Sequence, residues 1–154
     1  MITTRPISLS QITRPLSSKI LKHTCVRGLS NALTAKGIDV AGDTNNEAAI
    51  ALFEEAVKYD KQNDVAYAKA GAIYDANGKN DKAALNYEKA LAINPAYTML
   101  YPPLGVAYLN NGEIAKAETT LQKLAAGIDT VETRYLNGVI LFKQNKKYRG
   151  SRGV

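Results

Sequence analysis

Few side chains in this sequence could carry covalent chemistry. His23 is the only histidine and Cys25 the only cysteine, and they stand two residues apart near the N-terminus. A Ser–His or Cys–His pair within the rest of the chain is therefore excluded. One thiol forms no internal disulfide, and one thiol with one imidazole cannot complete a Cys-based zinc site. Glu54 and Glu55 are adjacent, which suits a solvated helix surface better than two carboxylates flanking a substrate. Asn77-Gly78 and Asn111-Gly112 are turn pairs with no Gly-Lys-Ser/Thr after them, so no phosphate-cradling loop is present. The sequence reads as a non-enzyme, with no catalytic residue, no cofactor site and no metal ligand set.

The residues that do recur at fixed spacing are aromatic or small. Leu33, Tyr67, Tyr101 and Tyr135 are 34 residues apart, as are Gly37, Gly71 and Gly105, and Val40, Tyr74, Tyr108 and Phe142. A second set keeps the same period: Ala49, Ala83 and Ala117, then Phe53, Tyr87 and Leu121, then Ala56, Ala90 and Leu124. Within each set the spacing is i, i+4, i+7, which places the residues on one helix face. The Asn-Gly pairs break the chain between the sets. Each repeat is thus two antiparallel helices. The glycine admits the second helix closely, at a cost of up to ~1 kcal/mol relative to alanine in a helix. A generic bundle has no reason to hold such a register.

These columns resemble the tetratricopeptide repeat family. The aromatic–Gly–aromatic set of the first helix and the Ala–aromatic–Ala set of the second carry the resemblance, best over Asp64 to Tyr97, which ends on Asn94-Pro95. Val40 replaces the aromatic in the first repeat, Leu124 departs from the pattern in the third, and the fourth offers only its first helix. The resemblance implies an all-α fold, a right-handed α-solenoid of antiparallel helix pairs. Residues 30–145 form the repeat domain, about three and a half repeats, between a basic leader at 1–29 and a basic tail at 146–154. Helices are expected near 30–42, 46–60, 64–77, 81–93, 101–111, 114–126 and 131–145, with disorder at 1–15 and 149–154. Asn45 or Asn46, Asp64 and Asn80 are the candidate helix caps. Pro102-Pro103 should delay the fifth helix to Tyr101.

Charge is distributed unevenly. Twenty Lys/Arg against fourteen Asp/Glu give +6, but residues 1–29 and 143–154 hold five basic residues each and no acid, which leaves the body mildly acidic. Basic tails on an acidic body argue against a nucleic-acid partner, because aromatic and basic residues do not interleave on one surface. No run approaches the ~18 apolar residues of a membrane span. A cytoplasmic location is expected. The alternative is the mitochondrial matrix, because the acid-free, Ser/Thr-containing leader resembles a targeting presequence and Ser17–Leu33 could form a basic amphipathic helix.

By the family resemblance, the first helices line a concave face that receives a peptide or partner helix. The expected groove comprises Ile38, Val65, Ala68, Lys69, Ala72, Asp75, Met99, Pro102, Val106, Leu109, Asn110, Leu136 and Ile140. Thr34, Ile38, Met99 and Pro103 stand where carboxylate-clamping members carry Lys, Asn or Arg, and only Lys69 is polar there, which argues against chaperone-tail binding. The expected function is a protein-interaction scaffold. The alternative is a self-associating assembly or regulatory subunit that dimerises through the last helix, with Tyr135 and Phe142 facing inward and Leu141 with parts of Leu136 and Ile140 facing out.

Overall fold

The computed structural model describes residues 18–42, 45–125 and 131–150. Among the described residues there are seven α-helices: α1 Ser18–Gly42, α2 Asn46–Tyr59, α3 Asp64–Ala76, α4 Asn80–Ile93, α5 Tyr101–Asn110, α6 Ile114–Ala125 and α7 Val131–Gly150. A 3-10 turn, Thr98–Leu100, leads into α5, and the described residues contain no strand. Consecutive helices pack against one another along the chain, which gives the all-α stack of helix pairs that the columns require. Two helices are longer than expected: α1 begins at Ser18 and α7 runs to Gly150. The disorder expected at 149–154 is overturned at residues 149 and 150, which are helical, and its remainder, like that expected at 1–15, lies outside the described residues.

The local chemistry of the helix ends explains where they fall. Asn45 Oδ1 accepts from the Ala48 amide at 3.2 Å, and Asn63 Oδ1 accepts from Ala66 at 3.0 Å. Asn63, rather than Asp64, is therefore the cap of α3. Lys79 precedes α4 without a side-chain cap, and Asn80 is already helical. Gly78 and Gly112 have φ of +69° and +79°. Those left-handed residues let Lys79 N–H reach Tyr74 C=O at 2.8 Å and Glu113 N–H reach Tyr108 C=O at 2.8 Å, which closes the helix ends. The two prolines sit in the first turn of α5, where a missing N–H costs nothing.

The repeat columns form the core. Ala49, Ala83 and Ala117 are fully buried, as are Ala56 and Ala90, with Phe53, Tyr87 and Leu121 between them. Phe53 packs on Gly37 and Tyr87 on Gly71: a Cβ at those glycines would lie 2.6 Å from Phe53 Cε1 and 2.8 Å from Tyr87 Cδ1. No side chain larger than hydrogen fits without moving a buried ring.

Candidate functional site

Successive repeats are tied by a motif that recurs with the sequence. Tyr74 O–H donates to Glu54 Oε1 at 3.0 Å, and Tyr108 O–H donates to Glu88 Oε1. On its other side each ring meets a lysine of its own repeat, Lys82 at 5.3 Å and Lys116 at 5.2 Å from the ring centre. Burial, then the glutamate, raises both phenol pKa values above the usual range. Tyr87 is pushed up to about 12, first by burial and then by the charge of Asp75. Burial likewise pushes the Asp75 carboxyl up.

A buried polar network fastens the N-terminal end. Asn63 Nδ2 donates to Ser30 Oγ and Thr34 Oγ1, both at 2.9 Å, and Ser30 Oγ donates to Ala56 C=O at 2.8 Å. Thr34 Oγ1 donates to Ser30 C=O at 2.9 Å. Every polar group of this trio is used, so the network specifies how α1 meets the α2–α3 turn. Over it opens a cleft of about 300 Å³ between α1, the turn and the start of α3. Asn31, Thr34, Ala35 and Ile38 line one side, and Asp60, Gln62, Asp64 and Val65 the other. Arg27 Nε stands 3.7 Å from Asp60 at its rim.

Of the groove residues expected from sequence, Ile38, Val65, Lys69, Ala72, Met99 and Asn110 are exposed, and Asp75, Pro102 and Val106 are half-buried. Ile38 and Val65 share the cleft. Ala68 and Leu109 are buried in the core, so neither is presented on a surface. Sequence reasoning missed the turn residues Asp60, Gln62 and Asn63, which belong to no repeat column. The signal available was Asn63 one residue before a helix start.

The last helix corrects the expected face assignment. Leu136 and Ile140 are 2% and 4% exposed, whereas Tyr135 and Phe142 are 69% and 70% exposed. Leu141 is exposed, as expected. Leu136 reaches toward Gly105, its Cδ1 lying 3.8 Å from where a Cβ would stand. So Leu136 and Ile140 are core, not groove, and α7 lies against both α5 and α6. The physical reason lies in the columns. Gln122 stands where Glu54 and Glu88 accept a tyrosine hydroxyl, and Phe142 has none to donate. Val139 occupies the glycine column, and Arg134 stands where Ala66 and Leu100 pack. With those contacts gone, the two aliphatic side chains are the better pair to bury.

Among the described residues no cluster of His, Cys, Asp or Glu could hold a metal ion, and no helix is long and apolar enough to cross a membrane. The architecture is an α-solenoid of helix-turn-helix repeats. The sequence profile of the tetratricopeptide repeat matches residues 76–136. Over that stretch the chain is similar to the tetratricopeptide repeat family. A probable UDP-N-acetylglucosamine–peptide N-acetylglucosaminyltransferase, SPINDLY of Solanum lycopersicum, is 39% identical over 67 residues, 44% of this chain and 7% of that protein. The chain thus spans less than a tenth of the length of the curated relatives it matches. The Sgt2 TPR domain from Aspergillus fumigatus superposes with a TM-score of 0.66 at 22% identity, covering 79% of this chain and 83% of that one. The first TPR of Spaghetti (RPAP3), bound to the HSP90 peptide SRMEEVD, gives 0.66 at 19% identity, covering 73% and 90%.

Proposed function

We propose that this protein is an interaction scaffold that holds an apolar segment of a peptide or partner helix against its first helices. The observation that carries this reading is the exposed apolar surface that the core does not need. Ile38 is 40% exposed, Val65 38% and Met99 78%, and the first two flank the cleft at the N-terminal end. The peptide-bound neighbour supports peptide capture as a use of this fold.

The lining also argues for the chemistry of the ligand. Asp60 and Asp64 edge the cleft, and Thr34 is buried with its hydroxyl already engaged. Arg27, the one cation of the described lining, already faces Asp60 at 3.7 Å. An apolar segment flanked by basic residues fits this surface better than an acidic C-terminus.

A displayed peptide library selected on the full chain tests the reading. Enrichment of apolar peptides is expected, with affinity falling at least ~tenfold, about 1.4 kcal/mol, in Val65→Glu and unchanged in the α2 surface variant Glu55→Arg. Selected peptides that bind Val65→Glu as well as the parent would contradict it. So would enrichment of acidic C-termini.

A further inference from the structure

The N-terminal cleft carries more negative charge than its described walls neutralise. Asp60 and Asp64 edge it, against Arg27 alone among the described lining residues. Lys36, Asp39, Lys61 and Lys69 lie close in sequence, but all four are exposed and none lines the cleft. The Asp60 side chain is 13% exposed and that of Arg27 63%. Their separation of 3.7 Å exceeds the ~2.7–2.9 Å of a charge-assisted hydrogen bond, so Arg27 faces Asp60 without gripping it. Asp60 Oδ1 accepts from the Gln62 amide at 2.9 Å, and Asp64 Oδ2 accepts from Asn94 Nδ2 at 2.8 Å. Both donors are neutral, and among the described residues no cation pairs with Asp64.

We propose that a basic side chain of the bound segment takes the place beside Asp60 that Arg27 now holds, which makes Arg27 the protein's own competitor for its ligand. This rests on the capture of an apolar segment proposed above. Arginine and lysine carry a long aliphatic stem under a charged head. In the cleft the stem has Ala35, Ile38 and Val65 to cover, and the head has the carboxylates of Asp60 and Asp64. A ligand cation lying in the cleft would meet both carboxylates, whereas Arg27 reaches one of them from the rim. Arginine suits the place best, because its flat guanidinium presents five donors in a fork that matches a carboxylate. Displacing Arg27 costs little, since an exposed, loosely held pair contributes little and the freed side chain returns to water. The consequence is selectivity. A segment without a cation leaves Arg27 where it is and draws nothing from the two acids, while a segment with one gains a pair that is more buried than the pair it replaces.

Selection of one displayed peptide library in parallel on the full chain, on Arg27→Ala and on the double variant Asp60→Asn/Asp64→Asn tests this. Each asparagine keeps an oxygen for the Gln62 or Asn94 donor, and Arg27 is exposed, so the circular dichroism of the variants should match the parent. A basic residue beside the apolar ones is expected among peptides selected on the parent, more strongly on Arg27→Ala, and at background frequency on the double variant. A selected basic peptide and its counterpart with glutamine in place of the basic residue are then titrated by fluorescence anisotropy. Arg27→Ala should tighten the basic peptide at least ~threefold and leave the glutamine peptide unchanged. Apolar peptides with no basic preference, a preference that survives in the double variant, or a basic peptide bound no tighter by Arg27→Ala overturns this proposal while the capture of apolar segments stands. A library that yields no apolar peptides on any of the three proteins overturns both.

Discussion

Gly71 and Gly105 occupy the same repeat column and do different work. At Gly71 an added Cβ would sit 2.8 Å from the Tyr87 ring, with Ala83 C=O at 3.4 Å. At Gly105 the nearest atom among the described residues is Leu136 Cδ1 at 3.8 Å, which is ordinary contact. The difference comes from the partner helix. Tyr87 is long enough to lie across the glycine, whereas Leu121, its counterpart one repeat later, does not come within 4 Å of that Cβ position. The stack is therefore tightly keyed over α1–α4 and looser from α5 onward, and α7 turns a different face inward.

The largest effects should appear where the keying is tightest. Gly71→Leu should be the most damaging single change, with overpacking of about 3 kcal/mol or more, since even one methylene too many costs ~1–3 kcal/mol in a filled core. Gly105→Ala should be neutral or stabilising by up to ~1 kcal/mol, because the space exists and alanine favours the helix. Thermal melts of the two variants check the contrast directly, and equal losses would erase it. Asn63→Ala comes next, at about 2–3 kcal/mol in denaturant titration. It removes a cap and strips Ser30 and Thr34 of the amide donor they share.

A smaller effect tests the joints between repeats. Tyr108→Phe should cost about 1 kcal/mol at neutral pH by deleting the bond to Glu88. Alkaline pH probes the same buried phenols. Unfolded chains ionise tyrosine near pH ~10, while the folded protein holds Tyr87 protonated up to about 12. The stability these groups contribute is fully present below the unfolded value and is lost as pH rises toward the folded one. Tyr87→Phe should flatten part of that loss in melts recorded across this range. The smallest change is Ala72→Ser on the exposed side of α3, within ~0.5 kcal/mol of the parent.

How much of this was legible in the sequence follows from what periodicity encodes. The 34-residue columns located five of the seven described helices to within a residue at each end, because small and aromatic residues recur only where helices pack. The extent of α1 before residue 30 was not legible as part of the fold. Its N-terminal part keeps Ile20, Leu21, Val26 and Leu29 exposed, so no packing face marks it. The groove was legible as a set of helix positions, and less so as a surface. Ala68 is small enough to be drawn into the core, and the cleft owes its floor to Asn63, a residue outside the period. The orientation of α7 was misread because Tyr135 and Phe142 keep the period while their partners do not. Gln122, Val139 and Arg134 carried the contrary signal, since each breaks a column that the packing of α3 depends on.

The chain contains no tryptophan, so a single one reports its own surroundings. Phe142→Trp, studied at low micromolar concentration, tests most directly whether α7 has left the register of the repeats. A water-like, red-shifted emission freely quenched by acrylamide is the expected result, with Tyr87→Trp in α4 as the shielded reference. An emission from position 142 as blue and as protected as that from position 87 would show the aromatic turned inward. The face assignment of α7 would then be contradicted.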